Sequence, residues 1–186
     1  MKKRWMTGWL ILLVCFCAIV AAGAEGFPKG DWAFNHAPEE SVLLVREDGT
    51  AVFQGKEYTW ETEEEFLHLT DAEGTKTSLR YRTEDGKTLL YLPAEYRRAE
   101  DVPGEGLLGA WIGKESEGSN YIFRGDGMFL EDGTFTGTYQ IDAEAGTVLL
   151  HYIRYFDDTL VYFRVEGNDT LKVEYPWPLV ERQETP

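Results

Sequence analysis

The side chains that could do chemistry restrict what this chain can serve. Its histidines are His36, His68 and His151. None stands in a His-x-His or His-Glu-x-x-His arrangement, the local pairing that presents two imidazoles to one zinc ion. His68 and His151 read as structural residues at strand edges, and no metal is expected. Carboxylates abound, with 33 Asp and Glu against 18 Lys and Arg. Glu63-Glu64-Glu65 and Asp157-Asp158 read as solvated turn charge, because no Asp-x-Asp-x-Asp-Gly loop gathers oxygen ligands around calcium. A glycoside hydrolase needs two carboxyl groups at a fixed separation across a cleft, and short hairpins leave few long loops to build one. Ser41, Ser78, Ser116 and Ser119 lie outside any Gly-x-Ser-x-Gly elbow. Neither Gly-x-Gly-x-x-Gly nor a Walker loop occurs, so nucleotide binding is disfavoured. The expectation is a protein without catalytic residues or cofactors. A secreted hydrolase using paired carboxylates is the alternative.

The aromatic content offers more. Trp, Tyr and Phe make up 14% of the chain, and most must fill small cores. Alternation along the strands sets Tyr152, Arg154, Phe156, Tyr162 and Arg164 on an outer face, as an aromatic–guanidinium patch. Such a patch either stabilises the sheet through cation–π pairs or docks a partner. Packing against the first half of the chain is the strongest form of docking, since Arg80 and Arg82 sit at matching positions there. Arg124-Gly125-Asp126 and the sequon Asn168-Asp169-Thr170 both read as turns.

Residues 1–24 read as an export signal. Lys2-Lys3-Arg4 precede an uncharged apolar run, and Ala22-Gly23-Ala24 offers the small residues of a cleavage site after Ala24. An uncleaved membrane anchor is the alternative. Both cysteines, Cys15 and Cys17, fall in this segment, so neither a disulfide scaffold nor a thiol nucleophile is expected beyond it. Losing three cations and no acid moves the net charge from −15 to −18. Such a surface repels nucleic acid and anionic lipid. Membrane contact is expected only through an uncleaved signal segment.

Beyond residue 24 the order of features runs twice. Gly30-Asp31-Trp32 returns as Gly109-Ala110-Trp111, Asp48-Gly49-Thr50 as Asp126-Gly127-Met128, and Gly55-Lys56-Glu57-Tyr58 as Gly137-Thr138-Tyr139. Phe66-Leu67-His68-Leu69 returns as Val148-Leu149-Leu150-His151, and Leu79-Arg80-Tyr81-Arg82 as Val161-Tyr162-Phe163-Arg164. This is the pattern of a tandem duplication with a period near 80 residues. Runs of Val, Thr, Tyr and Phe between Asp-Gly turns read as β-hairpins. Thr62-Glu63-Glu64-Glu65 fits a helical capping box, but the β-rich counterpart in the second half favours a strand at Phe66–Thr70. A three-residue turn at Asp157-Asp158-Thr159 pairs Tyr155 with Val161, Ile153 with Phe163 and His151 with Val165, and turns these residues inward. On the next strand Leu171, Val173 and Tyr175 also face in. In the first half, Leu79, Tyr81, Leu89 and Tyr91 are expected inside, with Arg80, Arg82 and Leu90 outside.

A Gly-x-Trp opening, an Asp-Gly turn, a Gly-x-Tyr strand and closing strands ending near an Arg, each present twice, resemble the small lipocalin-like repeats of secreted Gram-positive bacterial proteins. The resemblance spans residues 30–182 and implies small barrels whose opening tryptophans, Trp32 and Trp111, pack at the closed end. The expected fold is all-β: two tandem antiparallel β-meander domains, residues 25–98 and 109–186, joined by a linker at 99–108. The expected function is that of an exported, non-catalytic binding or interaction protein. Its partner is either a small apolar ligand in a lumen or a protein on the outer patch. A structural or inhibitory cell-surface role is a further alternative.

Overall fold

The structure, a computed structural model, describes residues 26–84, 86–102, 104–114 and 120–183. Residues 1–24, expected to be an export signal, and Asp85, Pro103, Ser116 and Ser119 lie outside the described residues. The fourteen strands are β1 (Gly30–Phe34), β2 (Ser41–Val45), β3 (Thr50–Phe53), β4 (Lys56–Glu63), β5 (Phe66–Thr70), β6 (Lys76–Glu84), β7 (Lys87–Arg98), β8 (Gly109–Gly113), β9 (Asn120–Phe123), β10 (Met128–Glu131), β11 (Phe135–Asp142), β12 (Thr147–Tyr152), β13 (Thr159–Glu166) and β14 (Thr170–Glu181). All pairings are antiparallel. Each strand joins its sequence neighbours, and β14 returns to β1 to complete one ring-like sheet. No described residue is helical.

The turns follow from local chemistry. Gly49 and Gly127 take φ of 83° and 81°, a region that a Cβ disfavours. Asp48 and Asp126 each accept the N–H two residues on, at 3.0 and 3.1 Å. The candidate capping box gives way to strand: Glu63 pairs with Phe66 across a tight turn in which Glu64 adopts φ 52°.

One further pairing organises the ring. β14 pairs with β7 from Thr170↔Arg97 to Leu179↔Thr88. The opposite edge of β7 is divided, with residues 87–90 against β6 and 96–98 against β8. The opposite edge of β14 is divided likewise, with residues 170–174 against β13 and 179–181 against β1. The β7–β14 ribbon thus closes two circuits. β1 to β6 close through the first half of β7 and the second half of β14. β8 to β13 close through the remaining halves.

Each circuit encloses its own core. Leu43, Leu67, Leu69, Leu79 and Leu90 fill the first, with Leu179 from β14. Trp111, Phe129, Leu150, Val161 and Leu171 fill the second, with Tyr96 from β7. The ribbon residues that reach the cores are Leu90, Leu92 and Tyr96 on β7, and Leu171, Val173, Tyr175 and Leu179 on β14. They alternate along each strand, so both interiors lie on the same face of the ribbon, one towards each end. Apolar side chains line the interior and charged ones the exterior, the reverse of a membrane barrel.

Face assignments are corrected in both circuits. Leu90, not Leu89, enters the first core, because the register that pairs Glu84 with Lys87 sets Leu90 opposite Tyr81. Tyr91 is buried on the other face of the ribbon, edge-to-face with Tyr162 at 5.2 Å. In the second circuit Val148 pairs with Val161, and Leu150 with Thr159. Residues 153–158 are therefore a connection; Ile153 and Tyr155 stand outside the core, 61% and 79% exposed, and His151, between the inward Leu150 and Tyr152, faces out towards Asp158. The alternation read from sequence suits either register. The β11–β12 ladder, with Ile141↔Val148 and Tyr139↔Leu150, decides which holds. Leu79 and Tyr81 lie inside as expected, as do Val161, Leu171 and Val173.

The two circuits also trade volume at an equivalent cross-strand pair. The first core holds Ala51 opposite Tyr58, and the second holds Phe129 opposite Gly137. A Cβ on Gly137 would collide with the His151 carbonyl and crowd the Phe129 ring. Gly137→Ala is expected to lower stability by about 1–3 kcal/mol through overpacking, read from the urea midpoint. An unchanged midpoint would contradict this packing.

Candidate functional site

The anticipated outer patch is dispersed. Tyr152 turns inward and packs against the second core. Arg154 lies in the exposed connection after β12. Phe156, 50% exposed, packs on Tyr152 at 5.1 Å. Arg164 is exposed and pairs with Glu166 at 2.6 Å. Only Tyr162 meets a guanidinium, and it belongs to the first circuit. Arg80 lies 3.9 Å from the Tyr162 ring centroid, bonds Glu174 at 2.8 Å and pairs with Glu65. Of the patch, this contact between the two circuits is what the structure retains.

Beside it lies an open cleft of about 650 Å³. Arg80, Lys114, Arg164 and Lys172 line it, with Glu95 and Glu174. Every one of these cations already faces a carboxylate: Lys114 pairs with Glu95, and Lys172 with Glu166 at 2.9 Å. The cleft is a lattice of neutralised charge rather than a vacant anion site.

The tryptophans share one geometry. Trp32 Nε1 donates to the Pro28 carbonyl at 3.0 Å, and Trp111 Nε1 to the Leu107 carbonyl at 2.8 Å. Trp111 is fully buried under Arg98, whose guanidinium lies 4.0 Å from the ring centroid. Trp32 packs at the margin of the first core.

His68 Nδ1 lies 2.8 Å from Ser78 Oγ, and its Nε2 lies 3.6 Å from Glu63. The order resembles a nucleophile relay, but His68 and Ser78 are direct cross-strand partners in the β5–β6 ladder. Their main-chain N–H groups belong to the sheet, so nothing there gathers donors around a developing oxyanion. Among the described residues no group of three His, Cys, Asp or Glu side chains is placed to hold a metal ion, and no helix is long and apolar enough to cross a membrane.

The distinctive chemistry lies at the mouth of the second circuit, which sequence reasoning missed. Where the first core pairs Leu43 with Phe53, the second pairs Tyr121 with Glu131. Glu131 accepts two hydrogen bonds of 2.6 Å, from Tyr121 Oη and Tyr152 Oη. Tyr175 Oη lies 3.5 Å from Tyr152 Oη. A row of rings runs through this cluster. On one side Tyr152 meets Phe156, which meets Phe135 at 4.9 Å, and Phe135 meets Tyr155 at 6.2 Å. On the other, Tyr175 meets Trp177 at 5.9 Å, and Trp177 meets Phe34 and His36, each at 5.4 Å. The row therefore passes from one circuit to the other along the ribbon face that carries both cores.

The second interior itself is full. Its central void, lined by Leu107, Phe123, Leu150 and Val173 among others, has a volume near 10 Å³, at the limit of what one water needs. Compared with protein-family models, curated proteins and solved structures, the chain matches none.

Burial pushes the Tyr96 hydroxyl up to about 12. Burial, together with the neighbouring Glu131, pushes Tyr121 and Tyr152 well up, and burial raises Tyr175. Each ionises less readily in the fold than in an unfolded chain, where tyrosine titrates near 10. Their stabilisation is therefore intact below about pH 10 and is lost progressively above it, through about 12 for Tyr96. Urea titrations are expected to show stability falling above about pH 10, with a shallower fall in Tyr96→Phe. A variant with the wild-type slope would contradict this burial.

Proposed function

We propose that the chain is an exported, non-catalytic binding protein, built by tandem duplication of a small lipocalin-like meander, that binds on its surface rather than in a lumen. Residues 1–24 direct export and are removed after Ala24. The two halves are the successive domains of the duplication, residues 25–98 and 109–186, which lock together by lending each other half of a terminal strand. The observation that carries this reading is where the apolar surface lies. The second interior leaves about 10 Å³, whereas Ile153, Tyr155 and Phe156 are 61%, 79% and 50% exposed. Full burial of an exposed apolar side chain contributes about 1.5–3 kcal/mol, and these three still have half or more of their surface to bury.

The connection that presents them is built for display. Its base is fastened by His151 Nδ1 against Asp158 at 2.7 Å. Tyr155 adopts φ 79°, a strained conformation for a bulky residue and one that functional loops often hold. The equivalent link in the first circuit is a short polar turn, in which Asp71 accepts the N–H groups of Glu73 and Thr75.

Immobilised protein is expected to retain a component of its native extracellular fraction, and Tyr155→Ala with Phe156→Ala to release it without loss of folding. Arg154→Ala with Arg164→Ala also leaves the fold intact. A fluorescent fatty acid is expected not to bind. Uptake of that probe, or capture unaffected by the loop variant, would contradict surface binding.

A further inference from the structure

We infer that the ring row between the two circuits is a binding site for an uncharged polysaccharide; this rests on the surface-binding reading and specifies its ligand. The first support is the alternation of chemistry along the row. Sugar rings present C–H groups on their faces and hydroxyls at their rims. The electron-rich face of an aromatic ring attracts the former, and hydroxyls and carboxylates bond the latter. Phe135, Tyr155 and Phe156 supply ring faces at one end, and Trp177 supplies one at the other. Between them stand the part-buried hydroxyls of Tyr152 and Tyr175 and the carboxylate of Glu131, which already accepts from Tyr121 and Tyr152 and leaves its remaining lone pairs for a hydroxyl donor. The contacts chain Tyr152, Phe156, Phe135 and Tyr155 on one side and Tyr175 and Trp177 on the other, so the row is longer than a single small ring.

The second support is charge. The row carries Glu131, with Asp157 and Asp158 beside it, and its loop offers Arg154 as the opposing cation. The protein as a whole is at −15. A polyanion would meet repulsion along most of this face, whereas a neutral chain meets none. The third is topology. A peptide gains much of its affinity by adding a strand to an open sheet edge. Along the row β14 lacks a strand partner on one edge over residues 175–178, but Pro176 and Pro178 have no N–H to give and the Pro178 carbonyl already accepts from Asn35, so that stretch offers a peptide little to pair with.

The fourth is the difference between the two circuits. Leu43 and Phe53 occupy the positions of Tyr121 and Glu131, and a polar turn replaces the aromatic loop. The carboxylate–tyrosine network and the exposed rings occur together at one mouth and are both missing from the other. A role confined to stabilising the fold would not require the pair to travel together.

The test uses the mature chain and isothermal titration with soluble neutral oligosaccharides, namely a β-1,4-glucan hexamer, an N-acetylglucosamine hexamer and an α-1,4-glucan hexamer. Polygalacturonate and phosphatidylglycerol vesicles serve as anionic comparisons. At least one neutral oligomer is expected to bind, with Kd raised about tenfold or more in Tyr155→Ala/Phe156→Ala. The outer-face variant Arg164→Ala is expected to stay within about twofold of wild type. Since Tyr155 and Phe156 are 79% and 50% exposed, the double variant keeps its fold, checked by its urea midpoint. Phe135→Leu gives an independent reading of the same row and is also expected to weaken binding. Failure of all three neutral oligomers would overturn the assignment, as would equal loss in Arg164→Ala or tighter binding of polygalacturonate or vesicles. If the native extracellular fraction still yields a partner that the loop variant releases, while no oligosaccharide binds, the polysaccharide is wrong and surface binding stands.

Discussion

The β7–β14 ribbon is the constraint on which the rest of the structure depends. A strand has two edges, yet β7 must serve β6, β8 and β14, and β14 must serve β13, β1 and β7. Twelve residues in each strand make this possible, because one edge can be divided lengthwise between two partners. The first circuit consequently cannot close until the last strand of the chain arrives. Residues 26–98 alone would leave β1 and the outer edge of β7 unpaired, as rows of unsatisfied N–H and C=O groups. The absence of cysteine beyond residue 17 fits this arrangement. Closure of each core by the other half's strand replaces the covalent staples that small domains otherwise need.

The ribbon also accounts for Arg80. Its side chain sits where the outer surfaces of β6, β13 and β14 converge, between Glu65, Glu174 and the rings of Phe66 and Tyr162. Burial alone would lower its pKa, but the two carboxylates more than offset this and raise it. On the opposite face the same ribbon brings the two mouths together, and there the second circuit departs from the first. It exchanges Leu43 and Phe53 for Tyr121 and Glu131 and lengthens a polar turn into an aromatic loop. One face joins the halves, and on the other the two mouths differ.

Much of the fold was legible in the sequence because hairpins are local. The all-β class, the Asp-Gly turns, the strand at Phe66–Thr70 and the inward set of Leu79, Tyr81, Val161, Leu171 and Val173 follow from alternation and turn chemistry. What stayed hidden depends on partners distant in sequence. Trp60 and Tyr139 occupy equivalent places, since Trp60 Nε1 donates to the Arg46 carbonyl and Tyr139 Oη to the Arg124 carbonyl. The motif match had aligned Tyr139 with Tyr58 instead. Gly55 is required by its φ of 79°, whereas Gly137 is required by a close approach, so their shared identity concealed different causes. The register after Tyr152 was ambiguous because apolar alternation continues into the loop. The signal for the site was present in one respect: Glu131 is a carboxylate at an inward position of an alternating strand, where a core residue is expected.

The central claim is that the shared ribbon makes both cores one cooperative unit. Scanning calorimetry of Leu67→Ala, in the first core, and Leu150→Ala, in the second, tests it most directly, because both side chains are almost fully buried. Each should lower a single common transition, with calorimetric and van't Hoff enthalpies in agreement. Two separable transitions, each moved only by the substitution in its own core, would contradict it.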